Sequence, residues 1–266
     1  MLKKIQNEYI FGRQTAKILG GKYHRSRKWV LQQLKEVNDD DSNIIDIIPR
    51  SIVVVADATF FSRSDGMLIF REPNLKQNLI WKEIYVETAG QYEQLKLDLE
   101  SKGFAIKAVV LDGRSGIRDA FRGIPAQMCQ FHQVAIIRRY LTSRPKLEAA
   151  QELMIIARQL TKSNEKYFFD LLTAWHEKWQ EFLKEKTINP FTNRWFYTHK
   201  RLRAAFRSLK NNLPYLFTYQ KYPELHLPNT TNSLDGYISA LKNFLNVHRG
   251  QGRSSRNKII CQILKR

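Results

Sequence analysis

The sequence predicts an α/β fold in which a mixed five-stranded sheet is preceded by a small helical segment. Two apolar runs rich in Val and Ile, residues 52–56 and 108–111, have the length and composition of strands buried on both faces. Strand-like and helix-like patterns alternate around them, and helical periodicity dominates after His132. The pattern therefore indicates one sheet with helices packed against it.

Composition restricts the class of protein. The chain has 266 residues, 43% of them hydrophobic, and this excludes a disordered protein. Its net charge is +19, and residues 199–266 alone carry 13 Lys and Arg against Glu224 and Asp235, a net charge of +11. An excess this large favours a polyanionic partner, above all nucleic acid. The alternative is a basic protein that only adheres to anions.

Cysteine content and hydropathy indicate the compartment. The two cysteines, Cys129 and Cys261, are too few for a disulfide scaffold or a four-cysteine zinc ribbon. No run approaches the roughly 20 apolar residues of a membrane span, and the basic start of the chain is not followed by the apolar stretch of a secretory signal. We expect a cytoplasmic, nucleoid-associated protein with no membrane partner.

Residues 1–46 predict a helix-turn-helix DNA-binding segment. Short helices are expected between residues 9 and 36, the first broken at Gly20-Gly21 and the last capped by Ser26. Residues 39–43 are acidic and polar and would form a linker. The alternative is a helical hairpin with a solvated basic face. The side chains placed where a recognition helix contacts bases and phosphates are Arg25, Arg27, Lys28 and Gln32.

The sheet is predicted between residues 51 and 131. The first strand ends at Asp57, and strands at residues 67–71 and 79–86 follow as an antiparallel meander. A helix over residues 91–102, ended by Gly103, leads to the fourth strand.

The fourth strand ends at Asp112, and a short helix over residues 117–121 precedes a fifth strand at residues 126–131. The resulting order, βββαβαβ, is the ribonuclease H-like arrangement. Its right-handed crossover makes the first and fourth strands neighbours and brings Asp112 beside Asp57.

A helical insertion is predicted at about residues 143–213, within a ribonuclease H-like catalytic domain that spans residues 50–266. Its expected helices cover residues 146–160, 164–186 and 193–213, the last one capped by Thr192. Aromatic residues are frequent in this block, and we interpret them as core rather than as stacking platforms for bases.

Asp57 and Asp112 are the candidate catalytic and metal-binding residues. A carboxylate at the end of a buried strand is costly to desolvate unless a positive group meets it. Two such strand ends would share two Mg²⁺ or Mn²⁺ ions, one activating a water or a 3′-hydroxyl and the other stabilising the leaving oxygen of a phosphodiester. The structural alternative is that each Asp pairs with a buried Arg or caps a turn.

Asp235 is the candidate third acid. It follows Thr230 and Thr231, either of which can cap the helix that begins there. The helix dipole also favours an acid in the first turn, so the structural and catalytic interpretations both stay open. Asp235 is one of two acids in the last 68 residues, which favours the functional interpretation.

Cys129 and His132 form a C-x-x-H pair just after the fifth strand begins. Two ligands do not complete a zinc site, which needs four. We regard the pair as an accessory site in which His132 contacts a phosphate or steadies a catalytic carboxylate. Cys129 is then simply a small buried hydrophobic residue.

Taken together, these segments resemble a known family. Residues 54–59 (VVADAT), 110–113 (VLDG), 129–133 (CQFHQ) and 229–236 (NTTNSLDG) occur in that order and are similar to the signatures of the Mutator-like DDE transposases, in particular their bacterial insertion-sequence branch. Residues 247–250 (VHRG) match the C-terminal pattern of that branch, and they add His248 and Arg249 to the predicted DNA-binding residues.

The resemblance implies a ribonuclease H-like core with a helical insertion before the third acid. It also implies a magnesium-dependent enzyme that cuts and joins double-stranded DNA at element ends and target, working as a homo-oligomer. By this resemblance the metal-binding acids are Asp57, Asp112 and Asp235, and Cys129 and His132 match the C-x-x-H motif that follows the second acid.

The chain departs from the family in two ways. The third acid is normally Glu, and the shorter Asp235 would fall on the order of 1 Å short of a bound ion unless its helix sits closer. A zinc-binding region often precedes the helix-turn-helix, and we expect this chain to be a truncated copy or a natural short form without one. Three functional hypotheses follow: an active transposase, a catalytically inactive derivative that only binds DNA, and a non-mobile nuclease of the same fold, which rests on fold analogy alone.

Overall fold

The computed structural model describes residues 1–35, 48–114, 116–248 and 252–265. The predicted acidic linker at residues 39–43 lies outside these residues. In the first part of the chain the elements are α1 (Leu2–Ile10), α2 (Ala16–Lys22), α3 (Arg27–Lys35), β1 (Ser51–Ser62), β2 (Asp65–Glu72), β3 (Gln77–Ile84), α4 (Ala89–Ser101) and β4 (Ala105–Leu111). They are followed by a 3₁₀ turn (Ile117–Phe121), β5 (Ala126–Met128), α5 (Gln130–Leu141), α6 (Glu148–Gln159), α7 (Glu165–Lys184), β6 (Lys186–Ile188), β7 (Trp195–Tyr197), α8 (Lys200–Leu216), α9 (Thr218–Lys221), α10 (Asn232–Val247) and α11 (Arg253–Leu264).

A mixed five-stranded sheet forms with the strand order β3-β2-β1-β4-β5. β2 and β3 are antiparallel, whereas β1 pairs with β4 and β4 with β5 in parallel. Val54 and Val55 of β1 and Val109 and Val110 of β4 are fully buried, as the apolar runs predicted. The predicted α/β class, the β2–β3 meander and the β1–β4 neighbours are confirmed, and the sheet is compatible with the ribonuclease H-like arrangement.

Contacts within the chain divide it into two compact units. The first unit comprises Met1–Pro49, Asp57–Gly103 and Asn232–Arg266. The second unit comprises Arg50–Ala56 and Phe104–Thr231.

In the first unit, the three N-terminal helices enclose a small apolar core together with α11. Its buried members include Tyr9 of α1, Leu19 of α2, Val30 of α3 and Ile259 of α11. The backbone N–H of Trp29 donates to the Ser26 hydroxyl at 3.1 Å, which confirms the predicted cap of α3.

Two predictions for this region are corrected. α1 begins at Leu2, well before the first helix that we expected, and it supplies Ile5 to the core. The predicted break at Gly20-Gly21 is wrong, because α2 continues to Lys22. A Cβ on Gly20 would lie 2.7 Å from the carbonyl oxygen of Arg25, so a glycine is needed there for close packing. Glycine inside a helix is less favourable than alanine by about 1 kcal/mol, and α2 forms despite this cost.

In the second unit, α5 to α8 pack around an aromatic core. Phe168, Trp175, Leu209 and Phe217 are buried in one cluster. The indole N–H of Trp175 donates to the carbonyl of Ala149 at 3.0 Å, so the ring's polar atom is satisfied. The interpretation of the aromatic residues as core is confirmed for Phe168 and Trp175, but it is wrong for Phe191, which is exposed.

The predicted boundaries fail at two places in this unit. β5 ends at Met128, and α5 begins at Gln130 instead of continuing as strand to residue 131. The predicted helix over residues 193–213 is wrong in its first turns, because β6 and β7 form a hairpin and α8 begins at Lys200. Thr192 does not cap a helix, since its N–H donates to the Asn189 side chain in the hairpin turn at 3.2 Å.

Candidate functional site

The prediction that the first strand ends at Asp57 is wrong, because β1 continues to Ser62 and Asp57 lies within it. Asp112 directly follows the end of β4 at Leu111. The two aspartates are nevertheless equivalent in their register to the parallel β1–β4 ladder. The last paired residues of the β1–β4 ladder are Val55 and Val110. Asp57 lies two residues beyond Val55 and Asp112 two residues beyond Val110. Both side chains are half-buried.

Each of these carboxylates is oriented by a backbone N–H just downstream. Oδ1 of Asp57 accepts from the N–H of Ala58 at 2.8 Å, and Oδ1 of Asp112 accepts from the N–H of Arg114 at 2.8 Å. A hydrogen bond from an amide to a carboxylate is stronger than one between neutral groups. The chain thus holds one oxygen of each carboxylate in place.

Gly113 makes the turn after Asp112 sterically feasible. Its φ of +87° lies in the left-handed region, which side chains other than glycine adopt at a cost. A Cβ built on it would also overlap the side chain of Met128, a buried residue of β5. The backbone conformation therefore favours glycine in the VLDG segment, and any larger residue would also have to displace the Met128 side chain.

Asp235 lies in the first turn of α10, as predicted. The same turn contacts Arg71, a buried residue of β2 that we did not predict as part of the site. The Arg71 guanidinium donates to Ser233 at 3.4 Å and to Asn78 at 2.6 Å, and it lies 4.6 Å from the ring centroid of Tyr237.

Through Ser233 and Tyr237, Arg71 links β2 to the helix that carries Asp235. Burial lowers its pKa below the ordinary range, while Tyr237 and Glu72 oppose that shift. A buried arginine is hard to recognise in a sequence; the one signal is a cation that directly follows the apolar run LIF of residues 68–70.

Among the described residues, no three His, Cys, Asp or Glu side chains lie close enough together to form a metal-binding group. The joint metal site of Asp57, Asp112 and Asp235 therefore stays a prediction. Their carboxylate oxygens are hard donors, and the chemistry of this donor set suits Mg²⁺ or Mn²⁺.

The C-x-x-H motif and the NTTN segment meet in the second unit, although about 100 residues separate them. The Sγ atom of Cys129 accepts hydrogen bonds from the backbone N–H and from the hydroxyl of Thr231, each at 3.3 Å. The Thr231 hydroxyl also lies 3.4 Å from Nδ1 of His132. Cys129 is completely buried, so it is the centre of a small polar cluster rather than a hydrophobic residue alone.

A second pair of contacts joins the same two segments. The backbone N–H of Gln130 donates to the carbonyl of Asn229 at 3.0 Å, and the Asn229 amide donates to the Gln130 side chain at 2.9 Å. Gln130 is fully buried and also donates to the carbonyl of Leu216 at 2.9 Å. These bonds explain why α5 begins at Gln130.

The environment of Cys129 changes its acidity. Burial raises the pKa of the thiol, but hydrogen bonds from His132 and Thr231, through both side chains and backbone, outweigh burial and lower the pKa below its ordinary value. The cluster is therefore organised to stabilise negative charge on sulfur.

The predicted DNA-binding residues of the N-terminal segment are exposed near one cavity of the first unit. Arg27, Lys28 and Gln32 line this cavity of about 690 Å³ together with Lys258 and His248. The structure thus brings four of the predicted DNA-binding side chains to one place. Arg25 is also exposed, and its guanidinium lies 5.4 Å from the ring centroid of Trp29.

His248 is buried, and its ring lies 4.1 Å from that of Tyr9, centroid to centroid. Its Nε2 atom forms no hydrogen bond within the part of the chain that the structure describes. Burial lowers the pKa of His248, and a hydrogen bond with the backbone of Tyr9 partly opposes this. Arg249 lies outside the described residues.

Comparison with known proteins assigns no family: no family model and no curated protein matches the chain significantly. In the described residues, no helix has both the length and the apolar character needed to span a bilayer.

Proposed function

We propose that this protein is a transposase of the Mutator-like DDE class, from a bacterial insertion sequence. The observation that carries the proposal is the parallel pairing of β1 with β4, since Asp57 and Asp112 each follow the last pair, Val55 and Val110, by two residues. Both aspartates therefore lie just beyond the carboxyl end of the parallel β1–β4 ladder, the side of a sheet on which α/β proteins bind their ligands.

The proposed site holds divalent metal through Asp57, Asp112 and Asp235. Two bound ions would activate a water or a 3′-hydroxyl and stabilise the leaving oxygen of a phosphodiester. The chain's own contribution is orientation: the N–H groups of Ala58 and Arg114 fix one oxygen of the first two carboxylates.

The C-x-x-H cluster acts in this proposal as a positioning device. Thr231, which is bonded to Cys129, immediately precedes α10, and Asp235 lies four residues further along the chain. The cluster therefore holds the chain as far as the residue before α10. A misplacement on the order of 1 Å costs an enzyme about 100-fold in rate, so such an anchor matters to catalysis.

The proposed DNA track begins with the exposed basic residues of the N-terminal helices. Arg25, Arg27 and Lys28 contact the phosphates of the terminal inverted repeat, and Gln32 contacts a base. Cutting the two element ends together requires a homo-oligomer. The cleavage and joining reactions take place on the DNA of the nucleoid.

The experiment is a cleavage and joining assay. The protein is incubated with labelled DNA from the two flanks of its own reading frame and with Mg²⁺, and 3′-hydroxyl ends and joined products are analysed on a denaturing gel. Nicked ends and strand-transfer products are the expected result. Bound but uncut DNA, with Mn²⁺ as well as with Mg²⁺, would contradict an active transposase.

A second candidate function is a catalytically inactive derivative that only binds DNA. Asp235 favours it, because the family has the longer Glu in this place. Asp235→Glu distinguishes the two: cleavage that appears only in the substituted protein assigns the natural chain to the binding-only class. Cleavage by the natural chain excludes that class.

A further inference from the structure

The β6–β7 hairpin exposes a continuous apolar and aromatic surface. Phe191 at its tip is 95% exposed, and Ile188 and Trp195 are 63% and 56% exposed. Ile188 lies directly opposite Trp195 in the hairpin ladder, so the apolar surface extends across both strands. Single exposed apolar residues are common, but a contiguous group marks a binding surface.

Hydrogen bonds in the turn hold Phe191 outward. Oδ1 of Asn189 accepts from the backbone N–H groups of Phe191 and Thr192, at 2.9 and 3.2 Å. The N–H of Asn189 donates to the carbonyl of Arg194 at 2.9 Å, and the N–H of Asn193 donates to the carbonyl of Asn189 at 2.9 Å. The exposure of Phe191 is therefore imposed by an ordered turn.

The base of the hairpin is anchored to the helices on either side. The rings of Phe182 and His199 stack with centroids 3.7 Å apart, and His199 pairs with Glu185 at 2.9 Å. The Arg203 guanidinium donates to the carbonyl of Leu183 at 2.6 Å. The hairpin is thus a fixed projection of the second unit.

Positive charge surrounds these aromatic rings. Residues 184–203 contain six Lys and Arg and one acid, Glu185, which is paired with His199. The cations that lie over hairpin rings are Lys186 over Trp195 at 4.1 Å, Lys200 over Phe196 at 3.8 Å and Arg203 over Tyr197 at 3.6 Å. An occupant of this surface must therefore combine negative charge with flat apolar groups.

Nucleic acid with exposed bases has both properties. Proteins hold unpaired strands by stacking bases on aromatic side chains and by neutralising phosphates with Lys and Arg. We propose that the β6–β7 hairpin binds DNA with unpaired bases, that Phe191 stacks on a base, and that Lys186, Arg194 and Lys200 contact phosphates. The inference rests on the proposed function only in taking DNA as the partner.

The experiment compares two probes of one sequence: a blunt duplex, and the same duplex with an unpaired overhang that contains 2-aminopurine. Affinity for both is measured at low salt for the natural protein and for Phe191→Ala, Phe191→Tyr and Phe169→Ala. Phe169 is a matched control, since it is an exposed aromatic residue of α7, 52% exposed. Phe191→Ala loses almost no packing, so the variant folds.

We expect Phe191→Ala to weaken binding of the overhang at least about fivefold, the effect of losing one base–aromatic stack, with little change for the blunt duplex. The fluorescence of 2-aminopurine in the bound overhang should also differ between Phe191→Ala and the natural protein. Phe191→Tyr should retain affinity, and Phe169→Ala should behave as the natural protein.

Three results would overturn the inference. The first is that Phe191→Ala binds the overhang as well as the natural protein does, and the second is that it loses the same factor on both probes. The third is that it dissociates an oligomer at unchanged DNA affinity, which would assign the surface to a second copy of the chain. If the natural protein binds neither probe, the proposed function is contradicted together with the hairpin inference. If the protein binds DNA but the substitution of Phe191 has no effect, only the hairpin inference is contradicted.

Discussion

The Sγ atom of Cys129 accepts two hydrogen bonds from Thr231, one from the backbone N–H and one from the hydroxyl, each at 3.3 Å. This contact joins the C-x-x-H motif to the segment that leads into α10. Cys129 and His132 are too few ligands for a zinc site. The contact with Thr231 instead gives the C-x-x-H motif and the NTTN segment a shared structural role. The cysteine is then a hydrogen-bond acceptor for Thr231 within the second unit.

Cys129→Ala should destabilise the second unit by about 1–3 kcal/mol, because it leaves buried donors of Thr231 without an acceptor. Urea unfolding followed by tryptophan fluorescence measures this. Cys261→Ala is the control, since Cys261 is partly exposed and should tolerate the change better. If the two variants lose the same free energy of unfolding, the hydrogen bonds of Cys129 contribute no stability beyond the packing of its side chain.

Gly113→Ala should destabilise the protein more than Gly123→Ala. Both glycines have left-handed φ angles, +87° and +81°, so both variants carry a backbone cost of about 1–2 kcal/mol. Only at Gly113 would the new Cβ overlap Met128, whereas none of the described atoms lies within 4 Å of a Cβ at Gly123. A matched pair of urea titrations isolates the steric contribution, and equal midpoints would refute it.

DNA binding should weaken steeply as salt increases, because phosphate contacts by Lys and Arg release counterions. The double variant Arg27→Gln, Lys28→Gln should reduce the slope of log K against log salt by about 2 if each residue neutralises one phosphate. Lys166→Gln serves as the control, since Lys166 lies on α7 and pairs with Asp170 at 3.1 Å. An unchanged slope in the double variant would remove the N-terminal helices from the DNA track.

His248 should make the first unit sensitive to acid. Its pKa in the folded state is lowered by burial, so the unfolded chain binds the proton more tightly. The contribution of neutral His248 to the free energy of unfolding should therefore be fully present above pH 6.5, the unperturbed pKa of histidine. It should decrease as the pH falls below 6.5, until the pH has passed the folded-state pKa.

His248→Phe keeps a ring against Tyr9 and cannot titrate, so its urea midpoint should fall less between pH 7 and pH 5. His24→Asn is the control, because His24 is exposed and Asn tolerates its positive φ of 51°. The prediction fails if His248→Phe and the natural protein lose the same stability over this pH range.

The sequence predicts the sheet well because strand burial and crossover chirality are local or general rules. Val-rich runs identify β1 and β4, and the handedness of the crossover makes them neighbours. Ser26 and Gly103 were predictable for the same kind of reason, since a cap and a left-handed C-terminal residue depend on local chemistry.

Features that depend on distant contacts were not predictable. The β6–β7 strands have three residues each, too few to show a period of two, and the aromatic residues there fit a helix equally well. α5 begins at Gln130 because of a bond to Asn229, which lies about 100 residues away. Likewise, the burial of Arg71 and His248 follows from packing by elements that no local pattern indicates.

We propose that Asp57 and Asp112 belong to one metal-dependent centre that cleaves DNA. The most direct measurement is nicking of a supercoiled plasmid in Mg²⁺ or Mn²⁺ by Asp57→Asn, Asp112→Asn and the control Asp119→Asn, an exposed acid of the 3₁₀ turn after β4. We predict that the first two variants lose nicking by on the order of 100-fold or more while binding DNA normally, and that the control stays active. Nicking near the natural rate by either Asp57→Asn or Asp112→Asn would contradict the claim.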